Sequence, residues 1–261
     1  MFIETKDFFK VKSNIFTPKT LRTFISYSDR DKNIASGIKE ALNHYGIQVF
    51  LAHDDIPPGE DWPNEIIKNL KSSDIFIVLL SSNFHTSKWT DQETGLAISF
   101  SKFIVPVSID ETLPYGFMEK FQAFRNFKYT VSKNYTTNKE EIYCHEEIFK
   151  IIEFLAERPE FKENIRDCLI TSLENAWTFR DAEKHFELLL SLKPFSEEHI
   201  NAIIANSAIN NQVYNARGCQ KLIKEMIEKY DNLIIPQNKE RILQMMSQGY
   251  YIPKSIENSQ T

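Results

Sequence analysis

From residue 21 to residue 110, short apolar runs alternate with segments whose apolar residues recur every three or four positions. "LRTFISYS" (21–28) reads as a strand that ends in polar residues. In "DKNIASGIKEALNHYG" (31–46), Ile34, Ile38, Ala41, Leu42 and Tyr45 fall at helical spacing, and Gly46 marks a stop. "IQVFLA" (47–52) predicts a second strand, followed by the polar, proline-rich loop "HDDIPPGEDWP" (53–63). "NEIIKNLKSS" (64–73) is a short helix with Ile66, Ile67 and Leu70 on one side. "DIFIVLLSS" (74–82) is apolar without interruption, as a strand buried on both faces must be. "KFIVPVSID" (102–110) predicts a fourth strand and "FRNFKYTV" (124–131) a fifth.

Strands alternating with helices in this way imply βαβ units around a parallel sheet. Right-handed crossovers cover both faces of such a sheet, and ligands bind outside the carboxyl ends of its strands. The residues at those ends are Tyr27, Ser28 and Asp29, then His53, Asp54 and Asp55, then Ser81 and Ser82, then Asp110.

The second half has a different pattern. "SKNYTTNKEE" (132–141) is polar and suits a linker. Beyond it, helical periodicity is predicted near 142–157, 160–176, 180–192, 197–210, 214–230 and 238–247, and "NLIIPQ" (232–237) suits a short extended segment. A run of helices without strands between them is a bundle or a helical-repeat module. The expected organisation is an N-terminal extension over 1–19, an α/β domain over 20–135 and an α-helical domain over 136–261.

Charge narrows the partners. Residues 1–135 carry 16 Lys and Arg against 16 Asp and Glu, and residues 136–261 carry 15 against 20, so the excess of −5 lies in the second half. No basic stripe exists to neutralise phosphates, which argues against a nucleic-acid partner. The longest apolar run, "IFIVLL", is too short to span a bilayer, and "MFIETKDFFKVKSN" lacks the apolar core of a signal peptide. A cytoplasmic location without a membrane partner is expected. The three cysteines, Cys144, Cys168 and Cys219, have neither disulfide nor metal-ligand spacing, so no metal is expected. Adjacent Cys144 and His145 point apart on a helix and form no dyad. The seven glycines make no phosphate-binding loop, and no G-x-S-x-G elbow occurs.

Candidate chemistry lies in "SKWTDQETGLAIS" (87–99), where Trp89 and Glu93 stand one helical turn apart and share a face. Taken singly, Trp89 fits a core residue, and Glu93 fits a surface acid compensating a helix dipole. Three ordered segments bear on that choice. "FISYSDRD" resembles the first box of the TIR domain, the Toll/interleukin-1 receptor module, of the kind found in bacteria. "VFLAHDDIPPGEDWPNEI" is similar to that family's second strand and BB loop. "SSDIFIVLLSSNFHTSKWTDQE" resembles its third strand and the segment bearing its Trp-x-x-x-Glu pair.

The resemblance implies a flavodoxin-like fold. It also implies an NAD+ nucleosidase, hydrolase or cyclase, working in antiphage or stress defence, with NAD+ as substrate and no bound cofactor. Glu93 is then the catalytic carboxylate and Trp89 the aromatic beside it. Tyr27, His53, Asp55 and Trp62 are candidate substrate-binding residues at the rim. Such members stack head to tail, with the BB loop of one unit completing the pocket of the next. That implies a homo-oligomer through TIR–TIR contacts, with the helical half as the place for a trigger or partner protein. A non-catalytic TIR scaffold is the main alternative. A nucleoside deoxyribosyltransferase, which also uses a glutamate on a similar sheet, is a third.

Overall fold

The computed structural model describes residues 16–87, 89–136 and 138–248. They fall into two compact units, one spanning Lys19–Cys168 and the other built mainly from Leu169 onward.

The first unit is organised by a four-stranded parallel sheet in the order β2-β1-β3-β4. The strands are β1 (Arg22–Ser26), β2 (Gln48–Leu51), β3 (Ile75–Leu80) and β4 (Phe103–Ser108). All six residues of β3 are buried, as its unbroken apolar run requires. Phe24 sits at the centre of the ladder opposite both Phe50 and Phe76, and its ring stacks on Phe76 at 5.6 Å. The chain leaves β1 for β2 on one side and returns past β1 to β3 on the other. The strand order thus reverses between β1 and β3, and in such sheets ligands bind outside the carboxyl ends of the strands at this point.

The helices around this sheet start and stop for local reasons. Helix α1 (Lys32–His44) buries Ala35, Ile38, Ala41 and Leu42, then ends where Gly46 takes φ +78°. A single helical turn, α2 (Ala52–Asp55), follows β2 directly. Helix α3 (Trp62–Ser72) is capped by Asp61, which accepts from the Asn64 amide, and carries Pro63 in its first turn. Lys102 Nζ donates to the carbonyls of Lys71 (2.6 Å) and Ser73 (2.5 Å), closing its C-terminal end. Helix α4 (Thr90–Ser99) packs on β1 and α3.

Beyond β4 the outcome departs from the periodicity. The segment expected as a fifth strand over 124–131 joins the parallel sheet only by a single bridge between Val107 and Phe124, and its last two residues, Thr130 and Val131, enter a separate hairpin. Most of that segment is exposed, so no apolar face holds it in the ladder. The polar stretch expected to be a linker instead forms an antiparallel hairpin of β5 (Thr130–Lys133) and β6 (Glu140–Tyr143). Ile142 of β6 rests on α1 at Gly37, where a Cβ would lie 2.5 Å from the Ile142 Cβ. Helix α5 (His145–Ala156) also packs on α1. The unit bearing the sheet therefore runs past residue 135. Its boundary with the second unit falls within α6 (Lys162–Ser172).

The second unit is helical, as its periodicity predicts: α7 (Phe179–Ser191), α8 (Glu197–Ser207), the short α9 (Asn211–Tyr214), α10 (Arg217–Tyr230) and α11 (Pro236–Ser247). Ser196 caps α8 in a reciprocal box with His199. Asn210 caps α9, and its amide donates to the carbonyls of Leu173, Glu174 and Ala176. The segment expected to be extended at 232–237 is a 3-10 turn, Asp231–Leu233, that leads into α11. Among the described residues, no helix is long and apolar enough to cross a membrane.

Candidate active site

The carboxyl ends of the strands are tied together by short polar contacts. Asp31, buried after β1, accepts from Ser81 Oγ (2.5 Å) and from Asn83 Nδ2 (3.0 Å), joining the loops that leave β1 and β3. Asp110 accepts from the amides of Ser82 and Thr112, each at 2.7 Å, joining the ends of β3 and β4. Of the strand-end residues marked out by the sequence, Ser81 and Asp110 thus brace the platform.

Glu93 stands over this edge in the first turn of α4. Its amide donates to the Trp89 carbonyl at 2.8 Å, which makes the two residues consecutive steps of one helical turn. The Glu93 residue is only 5% exposed, which removes the reading of a solvated acid. Ser26 Oγ donates to Glu93 Oε2 at 2.6 Å, and among the described residues this is the carboxylate's one hydrogen bond. Burial pushes the carboxyl up to about 7, against a smaller opposing pull from the Ser26 hydroxyl. The nearby hydroxyls are spent elsewhere: Thr90 donates to the Phe84 carbonyl and Thr94 to the Thr90 carbonyl, each at 2.8 Å.

Trp89 and Trp62 are both half-buried and pack against one apolar cluster that includes Phe24, Ala52, Ile56 and Phe76. Trp62 opens α3 and Trp89 precedes α4, so the two indoles reach this cluster from different helices. Tyr27 is buried just past β1. Burial, reinforced by Asp54, Asp29, Glu93 and Asp55, drives its phenol well above the usual range. Tyr27 therefore shares the electrostatic surroundings of Glu93.

Asp55 is engaged locally. It accepts from the Leu51 amide (2.7 Å) and pairs with Lys39 of α1 (2.5 Å), while Asp54 pairs with Lys32 (2.5 Å). These bonds anchor α2 to α1 at the rim. The backbone of His53 lies in α2, and its side chain lies outside the described residues. The loop that follows is exposed from Pro57 to Asp61 and turns at Gly59, whose φ of +93° favours glycine. On the opposite side, Tyr115 donates to Asp91 and its ring lies 3.8 Å from that of His85. Among the described residues, no group of three or more His, Cys, Asp or Glu is arranged to hold a metal ion.

Residues 23–142 match the TIR domain family. This segment is a TIR domain. It is 29% identical over 118 residues to a probable 2′ cyclic ADP-D-ribose synthase, TcpO, from Methanobrevibacter olleyae, a match covering 43% of this chain and 33% of that protein. It is also 29% identical over 93 residues to TMV resistance protein N of Nicotiana glutinosa, covering 33% of this chain and 8% of that one. The chain thus spans a third or less of either relative. Among solved structures it is similar to the TIR domain of the Toll-related receptor TRR-2 from Hydra magnipapillata (20% identity, TM-score 0.36, 39% of this chain and 80% of that one). It is likewise similar to the TIR domains of the activated Roq1 resistosome (18% identity, TM-score 0.32, 67% of this chain and all of that one).

Within the TIR domain, sequence reasoning passed over Ser26, Asp31 and Tyr115. Ser26 carried a usable signal: a hydroxyl inside a buried strand must find a partner. Tyr115 carried none, because its loop shows no periodicity.

Proposed function

We propose that the TIR domain cleaves NAD+ at the bond between nicotinamide and ribose, with Glu93 as the catalytic carboxylate. The observation that carries this reading is a glutamate only 5% exposed, at the switch point of a parallel sheet, with no cation bonded to it among the described residues. A buried acid of this kind costs stability, and such costs concentrate at functional sites. Likeness to a protein named as a cyclic ADP-ribose synthase supports the substrate class.

The chemistry suits one carboxylate. The nicotinamide nitrogen of NAD+ is cationic, so when the C1′–N bond breaks both electrons go to nitrogen and a neutral base departs. No acid is needed to protonate it. Positive charge develops on the ribose, as in glycoside cleavage, and an ionised Glu93 stabilises it. Water then adds to C1′ and releases a proton, giving ADP-ribose. A hydroxyl of the same molecule adds instead where the product is cyclic. Trp89 offers an aromatic wall for a flat ring. The exposed turn at Pro57–Gly59 is the surface we assign to TIR–TIR contact, so activity should rise faster than linearly with protein concentration.

Purified protein given NAD+ should release nicotinamide, with the second product identified by mass spectrometry. Glu93→Gln should lower that release by on the order of 10²- to 10³-fold. Cleavage by Glu93→Gln at the wild-type rate would overturn the assignment.

A further inference from the structure

We propose that Ser26 is a positioning residue that keeps Glu93 ionised and turned toward substrate. This rests on the functional reading above. Ser26 is the last residue of β1, paired with Val78 of β3 and 1% exposed, so its Oγ is fixed by the sheet. It holds Oε2 of Glu93 at 2.6 Å, and Oε1 is left as the oxygen for the ribose. An O–H donated to a carboxylate stabilises the anion and not the neutral acid. In a pocket where burial favours the acid form, that one hydroxyl sets how much of the enzyme carries the charge the reaction requires.

The other groups at this place do not replace it. Tyr27 comes from the end of β1; burial, reinforced by Asp54, Asp29, Glu93 and Asp55, holds its phenol well above the usual range, so it brings no charge to bear on Glu93. Asp29, Asp54 and Asp55 act on that phenol, and Asp91, on the first turn of α4, is bonded to Tyr115. Thr90 and Thr94 are committed to backbone carbonyls.

Ser26→Ala removes the hydroxyl and little volume. In the full chain, the Glu93 carboxyl carbon can be followed by ¹³C NMR and assigned by its absence from Glu93→Gln. It should titrate about 1–2 pH units higher in Ser26→Ala than in the wild type. The acidic limb of nicotinamide release should move by the same amount. The loss near neutral pH should be about five- to fiftyfold, should fall on kcat and not KM, and should recover toward the wild-type rate at about pH 9. A residue that merely filled space would lower activity equally at all pH. An unchanged Glu93 titration in Ser26→Ala, or an acidic limb that stays in place, would overturn the proposal. Failure of the wild type to release nicotinamide at any pH would count against the functional reading alone. The NMR titration would still decide whether Ser26 governs Glu93.

Discussion

Glu93→Gln should stabilise the unit that bears the sheet, and should do so only toward high pH. The Glu93 carboxyl rises from an ordinary 4.5 to about 7 on folding. Because the folded value is the higher one, the native state binds the proton more tightly than the unfolded chain. Stability from this group is complete below pH 4.5 and is lost as pH climbs through about 7. The interval of roughly 2.5 pH units, at about 1.4 kcal/mol each, amounts to roughly 3 kcal/mol by pH ~8 and less than about 1 kcal/mol at pH ~5. Glutamine is neutral at every pH, nearly the same size, and able to accept the Ser26 hydrogen bond. It removes the cost of burying a charge without opening a cavity. For a unit of this size the gain near pH 8 corresponds to roughly 6–12 °C in Tm. Urea unfolding of both proteins, followed by tryptophan fluorescence from about pH 5 to pH 8, would measure it. The midpoints should converge at the acidic end and separate as pH rises. Curves that stay parallel across the range would mean that Glu93 is not a strained buried acid, and the electrostatic argument for its role would fail.

Two further outcomes test the packing. Trp89→Ala removes a half-buried indole from the apolar cluster, so it should cost about 1–3 kcal/mol, below the value for a fully buried tryptophan. It should also lower nicotinamide release per folded molecule, by less than Glu93→Gln does; loss of stability with unchanged specific activity would make Trp89 a core residue only. Gly37→Ala adds a methyl 2.5 Å from the Ile142 Cβ and 2.8 Å from the Ile142 carbonyl oxygen. The clash should outweigh the roughly 1 kcal/mol that alanine gains in a helix and leave a net loss of about 1–3 kcal/mol, read from urea unfolding.

The strands that could be read from sequence are those whose burial is written into consecutive residues. "IFIVLL" leaves no alternative to a strand covered on both faces, and "IFIVLL" and "FIVPVS" sit side by side in the ladder. The hairpin at 130–143 escaped because its signal is the same as that of a linker: Thr130–Lys133 is exposed throughout, and only Ile142 of β6 is buried. The fifth strand was misleading for the opposite reason. "FRNFKYTV" has strand-like residues, but charge at Arg125 and Lys128 keeps it from burial on two faces. At the site, the Trp89–Glu93 offset was legible because helical spacing is local. The partner of Glu93 was not, because Ser26 lies 67 residues away and only the sheet brings it near. Nor were the partners of Asp55 legible, since Lys39 comes to it from another helix and the Leu51 amide by the turn of α2.

Helix α1 carries the rim of the site as well as the hairpin. Lys32 and Lys39 hold Asp54 and Asp55, and Gly37 between them seats Ile142. The two parts of the candidate site therefore answer to different solution variables. The rim hangs on partly exposed ion pairs, each weak in energy and readily screened by added salt. The carboxylate hangs on a buried hydroxyl that salt scarcely reaches but protons do. Ionic strength thus acts on where the chain turns after β2, and acidity acts on the charge at Glu93, so each can be varied while the other is held still.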